Sequence, residues 1–369
     1  MCGKNQFKPL AVSTTDVPSP FVGRHPDFDM KLPQILIVGP AEAAANNGNW
    51  QTAWRWSRLL RPSFQVTIAQ AWNGAPFDAM LALHARHSAD SIARWAHAQG
   101  ARTAAPGLGV VLTGTDLYRD IQTDAAAQAS LAYAQHLVML QECAPEALPA
   151  AVRAKARVIF QSTTRRQTVV KPQQHLRAVM VGHLRAEKSP HTLFAAARLL
   201  KDHPDIFIDH IGDALDPELG RQARACAAEC PRYRWLGGLP HEATRRRIQR
   251  AQVLVHTSRM EGGAHVLMEA VCSGTPVLAS KIPGNVGMLG PGYAGYFDHG
   301  DAQGLADLLL RCRTEQTSTP GFYSLLQAQC ASRASLFAPA AEQAALVQLV
   351  HDLLRHTTTP ENLPTYACA

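Results

Sequence analysis

Short apolar runs alternate with helically spaced segments along most of this chain. Gln34 to Val38, Gln65 to Ala69, Ala79 to Leu83, Val110 to Leu112 and Leu137 to Leu140 each read as a strand. They are largely apolar, without strict polar alternation, as expected of strands covered on both faces. A helix is expected from about Trp50 to Leu60, with Ala53, Trp54 and Leu60 on its apolar face, Trp50 at its head, and Arg55 and Arg58 elsewhere on the surface. Arg157 to Phe160 is a further strand. Gln161 to Leu176, polar and containing Pro172, then reads as a connection between domains.

The same alternation resumes at Ala178 to Val181, with a helix ending near Leu200 and strands at Ile206 to Ile211, Arg234 to Leu236 and Val253 to His256. Val266, Leu267, Ala270 and Val271 have helical spacing, and Gly274 stops that helix. Strands follow at Pro276 to Ala279 and Gly295 to Phe297, a helix starts at Asp301, and Pro339 opens a last one to about Leu354. Strand–helix–strand repetition on this scale predicts two parallel α/β domains. The expected division is 34–165, 166–338 and a final helix within 339–356. Residues 1–33 and 357–369 lack periodicity and are expected to be a disordered arm and tail. Met30 stands just before the first strand, and the folded unit is expected to begin there.

Composition narrows the function classes. In 369 residues, 46% are hydrophobic, enough for two sizeable cores, and no run is long enough to span a bilayer. The first thirty residues are too polar and proline-interrupted for a secretory signal, so a cytoplasmic location is expected. The formal charge of +7 comes from dispersed basic residues with no aromatic interleaving, which favours small anions over nucleic acid. The eight cysteines include no CxxC pair; Cys226 and Cys230, one helical turn apart, suit packing better than a disulfide or zinc site. Neither a Walker loop nor a GxGxxG signature is present, against an ATPase or a nicotinamide enzyme.

Candidate chemistry concentrates between Ala251 and Gly290. Glu261 stands in a loop and Glu269 on the following helix, with Gly262 and Gly263 between them. Either glutamate alone would ordinarily be solvated surface. Here the small residues leave room for a ligand, and the amides of Gly263, Ala264, His265 and Val266 at the helix start are placed to meet an anion such as a diphosphate. Glu269, about two turns along, is suited to accept hydrogen bonds from a diol such as a ribose, with Glu261 nearer a sugar.

Elsewhere, Gly182-His183-Leu184-Arg185-Ala186-Glu187-Lys188 brings cations to a strand's carboxyl end, and Gly237-Gly238-Leu239-Pro240 forms another strand-end loop. In the first half, Asn46-Asn47-Gly48-Asn49 reads equally as a helix cap or a ligand loop. His84, Arg86, His87 and Thr113-Gly114-Thr115-Asp116 follow strand ends, where a crevice would lie. His84 and His87 lack a third ligand partner in the sequence, so no metal is expected.

Two carboxylates seven residues apart, small residues after the first and A-x-x-S-G-x-P-V after the second resemble the donor site of family 4 glycosyltransferases. The resemblance implies the α/β GT-B fold: two Rossmann-like domains facing across a cleft, with the C-terminal helix crossing back to the first. It also implies a nucleotide-sugar co-substrate. Glu269, His183, Gly238, Leu239, Gly262, Gly263, Ala264, His265 and Val266 would be donor contacts, and Glu261, Lys188 and Arg185 would be catalytic. The family usually has arginine directly after the first glycine of the 182–188 loop; here that position is His183, and Arg185 is displaced by two.

Three further stretches, Asn46 to Trp56, Glu261 to His265 and Gly284 to Gly290, together look like the selenosugar synthases of selenoneine biosynthesis. That likeness implies selenophosphate as acceptor and a UDP-sugar, typically UDP-N-acetylglucosamine, as donor, with no cofactor, nucleic acid or membrane insertion. Gly48, Asn49, Arg55 and Asp116 would then be acceptor contacts, with His84 among the catalytic groups. A glycan-building transferase acting on a lipid or saccharide is the alternative, and a non-catalytic nucleotide-sugar binder a third.

Overall fold

The computed structural model describes residues 31–39 and 48–355. The expectations for the amino-terminal arm and Met30, for Asn46 and Asn47, and for the 357–369 tail fall outside those residues.

The chain forms two six-stranded parallel sheets. The first holds β1 (Gln34–Val38), β2 (Gln65–Ala69), β3 (Ala79–Leu83), β4 (Leu108–Val111), β5 (His136–Met139) and β6 (Ala156–Val158), in the order β2-β1-β3-β4-β5-β6. Its helices are α1 (Gly48–Leu60), α2 (Ala89–Ala98), the single turn α3 (Ile121–Thr123) and α4 (Ala125–Tyr133). The second sheet holds β7 (Leu176–Val181), β8 (Ile206–Ile211), β9 (Tyr233–Trp235), β10 (Val253–His256), β11 (Val277–Ser280) and β12 (Tyr296–Phe297), in the order β12-β11-β10-β7-β8-β9. With it go α5 (Pro190–Leu199), α6 (Pro217–Glu229), α7 (His241–Arg250), α8 (His265–Val271), α9 (Pro283–Leu289), α10 (Ala302–Thr314) and α11 (Phe322–Arg333). Last comes α12 (Pro339–Leu354).

Central strands such as β3 are buried at every residue, while the edge strand β2 is half exposed, which is why the former read as unbroken apolar runs. Leu346, Leu349, Val350 and Leu353 of α12 pack with Ile35, Ile37, Leu81 and Trp56 of the first sheet and its helix. Each such side chain contributes about 1.5–3 kcal/mol when fully buried, so α12 is fastened to the first domain. Gly109 belongs to this contact, since a Cβ there would stand 2.8 Å from Leu81 and 3.4 Å from Leu353. No helix among the described residues is long and apolar enough to cross a membrane.

Some local expectations need correcting. Strands β4, β5 and β6 begin one or two residues earlier than their apolar runs suggest. Helices α9 and α11 had not been expected as helices; Gly284 and Gly287 inside α9 mask its apolar spacing. On α1 the buried residues are Thr52, Ala53, Trp56, Ser57 and Leu60, and Trp54 is 44% exposed. The inner tryptophan is Trp56, because its indole N–H donates to Glu342 Oε1 at 2.7 Å, a partner 286 residues away.

Candidate active site

In the second domain the strands' carboxyl ends collect the charged residues. β7 runs into Gly182, and Gly212 lies so close that a Cβ there would be 2.1 Å from the Gly182 carbonyl oxygen. With a φ of +149°, that position also suits only glycine. The turn Ala186–Lys188 follows, then Ser189 in the left-handed conformation, which turns the chain into α5 at Pro190. Lys188 is thereby directed at Glu261: Nζ donates to Oε1 at 2.6 Å. His256, at the end of β10, stands 3.4 Å from the same oxygen. Burial alone would raise the Glu261 pKa, but the Lys188 charge and the hydrogen bond from His256 outweigh it and hold the carboxyl well below its usual range.

Glu269 is also buried, at 4% exposure. His241 Nε2 donates to its Oε1 at 2.6 Å, while His265 Nδ1 and Arg245 Nε lie 3.8 Å away. Burial pushes its pKa up, and the hydrogen bond from His241 with the nearby His265 imidazole brings it down to about 2. His241 in turn is raised, chiefly by its bond to Glu269. Glu269 is thus an ionised carboxylate held by side chains.

The remaining candidates of this domain divide. His183 is exposed, and its Nδ1 accepts a hydrogen bond from the Asp213 amide at 3.1 Å. The Arg185 side chain is exposed and makes no hydrogen bond or ion pair among the described residues, so the unengaged charge of this loop is Arg185. Gly238 donates its amide to Asp213 Oδ1 at 2.9 Å, and a Cβ there would meet that carboxylate at 2.4 Å. Leu239 packs on the second core.

The donor-loop glycines have a role beyond leaving ligand space. A Cβ on Gly262 would lie 2.2 Å from the Thr113 carbonyl oxygen of the first domain, and one on Gly263 would lie 2.8 Å from Leu140 Cβ. On α9, a Cβ on Gly284 would lie 2.2 Å from the Glu261 carbonyl oxygen, and one on Gly287 would collide with the Gln141 side chain. Gly287 also accepts a hydrogen bond from the Glu142 amide. These glycines let the two domains meet backbone to backbone beside Glu261. Ala264, buried, caps α8, and partly buried Val266 packs on the second core.

His265 makes the other crossing. Arg55 Nη1 donates to His265 Nε2 at 2.6 Å, which places the imidazole proton on Nδ1, facing Glu269. Arg55 is correspondingly not the plain surface residue its helical position suggested. Its Nε donates to Glu342 Oε1 at 3.2 Å. Glu342, on α12, is 1% exposed and also accepts from Trp56, from the Ser162 amide at 2.8 Å and from the Ser162 hydroxyl. A continuous polar path therefore runs Glu342–Arg55–His265–Glu269–His241 across both domains. Glu342, His241, Arg245 and His256 were absent from the sequence candidates. Glu342 looked like an ordinary acid in a helix's first turn, and only its tertiary neighbours reveal it.

Two first-domain candidates are buried. Asp116 has no exposed surface: Oδ1 accepts from the Thr113 and Gly114 amides at 2.9 Å each, and Oδ2 from the Ala85 amide at 3.0 Å. It is a loop anchor, with those acceptor positions committed to main chain. His84, with φ at +75°, is 4% exposed, stacked on His87 at 4.0 Å and in contact with Thr115 Oγ1 at 3.1 Å. Burial lowers its pKa against the opposing charge of Asp116. Gly48 opens α1, exposed, with its carbonyl accepting from Thr52; Asn49 follows.

Comparison with known proteins agrees with this geometry. Residues 161–318 match the family model "Glycosyl transferases group 1". Among solved structures, Anabaena HepE in complex with UDP-glucose superposes with a TM-score of 0.66 at 16% identity, over 87% of this chain and 100% of that one. Sucrose-phosphate synthase from Thermosynechococcus elongatus gives 0.70 at 16% identity, over 88% and 100%. The pneumococcal O-GlcNAc transferase GtfA in complex with UDP and GlcNAc gives 0.55 at 18% identity, over 74% and 57%. The fold is GT-B.

Proposed function

We propose that this GT-B chain, whose second domain is a group 1 glycosyltransferase domain, moves the sugar of a UDP-sugar onto selenophosphate. Selenium would attack the anomeric carbon as the bond to UDP breaks, and water would then release phosphate from selenium. UDP-N-acetylglucosamine is the first donor to test. HepE and GtfA were solved with UDP-sugar or UDP bound, and that donor class is carried over to the matching domain here.

In this reading Glu269 accepts the ribose hydroxyls, displacing or sharing His241. Lys188 and Arg185 neutralise the diphosphate as charge grows on the leaving group, and Lys188, once turned to phosphate, frees Glu261 for the sugar. Arg55, already at the domain junction, supplies the cation for the acceptor.

The observation that carries the acceptor assignment is Asp116. An alcohol acceptor calls for a positioned base, whereas selenophosphate arrives as an anionic nucleophile and needs only to be held. The acid best placed by sequence to be that base is sealed by three main-chain amides. Purified protein given UDP-N-acetylglucosamine and selenophosphate should release UDP and yield a selenium-containing sugar by mass spectrometry. UDP release only with an alcohol acceptor would overturn the assignment.

One feature favours the second reading, transfer to a lipid or saccharide. Trp50 and Trp54 stack at 6.5 Å along one side of α1, and Arg58 and Arg61 are exposed nearby, with Arg61 over the Trp54 ring. Such an aromatic and basic stripe suits a membrane surface. Sedimentation with anionic vesicles, abolished by Trp54→Ala, would support it; no association would remove it.

A further inference from the structure

The second domain has a cationic cavity at the end opposite the donor cleft. The cleft lies where β7 and β10 run out into Gly182 and Glu261; the cavity lies where those strands begin, beside Pro172, Arg177 and Gln252. Its volume is about 590 Å³, within the ~300–1,000 Å³ usual for small-ligand sites. Val179 gives it a buried apolar patch and the exposed Val170 and Pro172 an apolar rim, and Arg177, Arg247 and Arg250 are among the other lining residues.

At its floor is Asp209, 1% exposed, the only carboxylate lining the cavity. Three guanidinium groups converge on it: Arg177 at 3.2 Å, Arg234 at 2.7 Å and Arg247 at 3.2 Å. Neutralising a buried aspartate needs one cation. Two of the three, Arg177 and Arg247, line the cavity, so its lining carries more positive than negative charge, and most of their N–H donors are not used on Asp209. Arg250 adds a charge with no hydrogen bond or ion pair among the described residues, whereas Arg246 is paired with Glu242 at 3.1 Å. Like charges repel at this spacing unless a further anion sits among them. Guanidinium forks, with an apolar patch beside them, are suited to phosphate oxygens on a small organic body.

We propose that this cavity is a second binding site, for a small phosphate-bearing anion, distinct from the donor site. Its position gives it a bearing on the donor site. Helix α7 ends in the cavity with Arg247 and Arg250, and begins at His241, which holds Glu269. The interdomain connection forms another wall through Val169, Val170 and Pro172.

Inorganic pyrophosphate is the probe, titrated by calorimetry into the full chain saturated with UDP so that the donor site is occupied. The expected result is a binding component that survives saturating UDP and weakens at least about tenfold in Arg247→Gln/Arg250→Gln, two exposed positions whose replacement leaves the core intact. Arg102→Gln/Arg221→Gln, exposed and elsewhere, removes the same charge and should leave that component unchanged. Asp209→Asn, if folded by thermal melting, should tighten pyrophosphate severalfold, because it removes the competing anion from the floor; a cluster serving Asp209 alone predicts no gain. No pyrophosphate binding to the UDP-saturated protein, or binding equally weakened by both arginine pairs, would overturn the proposal. Should Asp209→Asn fail to fold, the two arginine pairs decide.

Discussion

Asp116 in the first domain and Glu269 in the second are both buried acids that follow the carboxyl end of a parallel strand, but they are held by different partners. Three main-chain amides hold Asp116, and they cannot leave it unless the 113–116 loop unfolds. Glu269 is held by His241, whose side chain is 72% exposed and can swing away, and approached by His265 and by Arg245, themselves bonded to Arg55 and Thr164. A carboxylate bound by main chain serves the fold, while one bound by mobile side chains is available to a ligand. Glu261 and Lys188 belong with Glu269, since a phosphate can take the place of Glu261 as the partner of Lys188.

The largest expected separation is in stability. Asp116→Ala strands three buried amides and should cost about 3–5 kcal/mol in urea unfolding, in the range for breaking a buried charged network. Near-wild-type stability would mean that the loop does not depend on it.

Next comes Gly262→Ala. Its Cβ would stand 2.2 Å from Thr113 O, so the domains cannot close as they do here. Turnover should fall about a hundredfold, the scale of a misplacement near 1 Å, while UDP affinity stays within about twofold if, as proposed, UDP is bound by the second domain alone. Equal loss of both would place the nucleotide between the domains.

Lys188→Ala should lower kcat about tenfold and donor affinity less, since charge on the diphosphate grows in the transition state. A change in KM alone would make Lys188 a ground-state contact.

The smallest effect is on pH dependence. Glu269 has a folded pKa of about 2, below its ordinary value, so its contribution is present above about pH 4.5 and lost as pH falls toward 2. His241 is shifted the other way: its contribution is complete below about pH 6.5 and lost as pH rises through the raised value. Thermal melting between pH 6 and 9 should show a slight alkaline decline that His241→Ala removes. An unchanged decline would assign it to another group.

Much of the scaffold was legible in the chain. β1, β2, β3, β8 and β10 fall where their apolar runs lie, because burial on both faces leaves few polar interruptions. The carboxylate spacing and the glycines around Glu261 single out a stretch whose two carboxylates the structure buries beside Lys188 and His241. What was hidden depends on contacts remote in sequence. Trp54 and Trp56 are equally hydrophobic, and which one turns inward is settled by Glu342, which is also what draws Arg55 off the surface. Asp116 and His84 occupy the positions where crevice residues belong, and nothing local says that the Thr113, Gly114 and Ala85 amides fill the carboxylate. Gly262 and Gly263 were read as space for a ligand; the structure adds that they are also where the first domain arrives.

The most direct test of this division is calorimetry of UDP binding to Glu269→Ala, with unfolding free energy measured on the same preparation. The account predicts a loss of about ten- to a hundredfold in UDP affinity, the worth of a charged hydrogen bond of roughly 1.5–3 kcal/mol, with stability changed far less than in Asp116→Ala. Wild-type UDP affinity in the folded variant would contradict it and move the ribose site elsewhere.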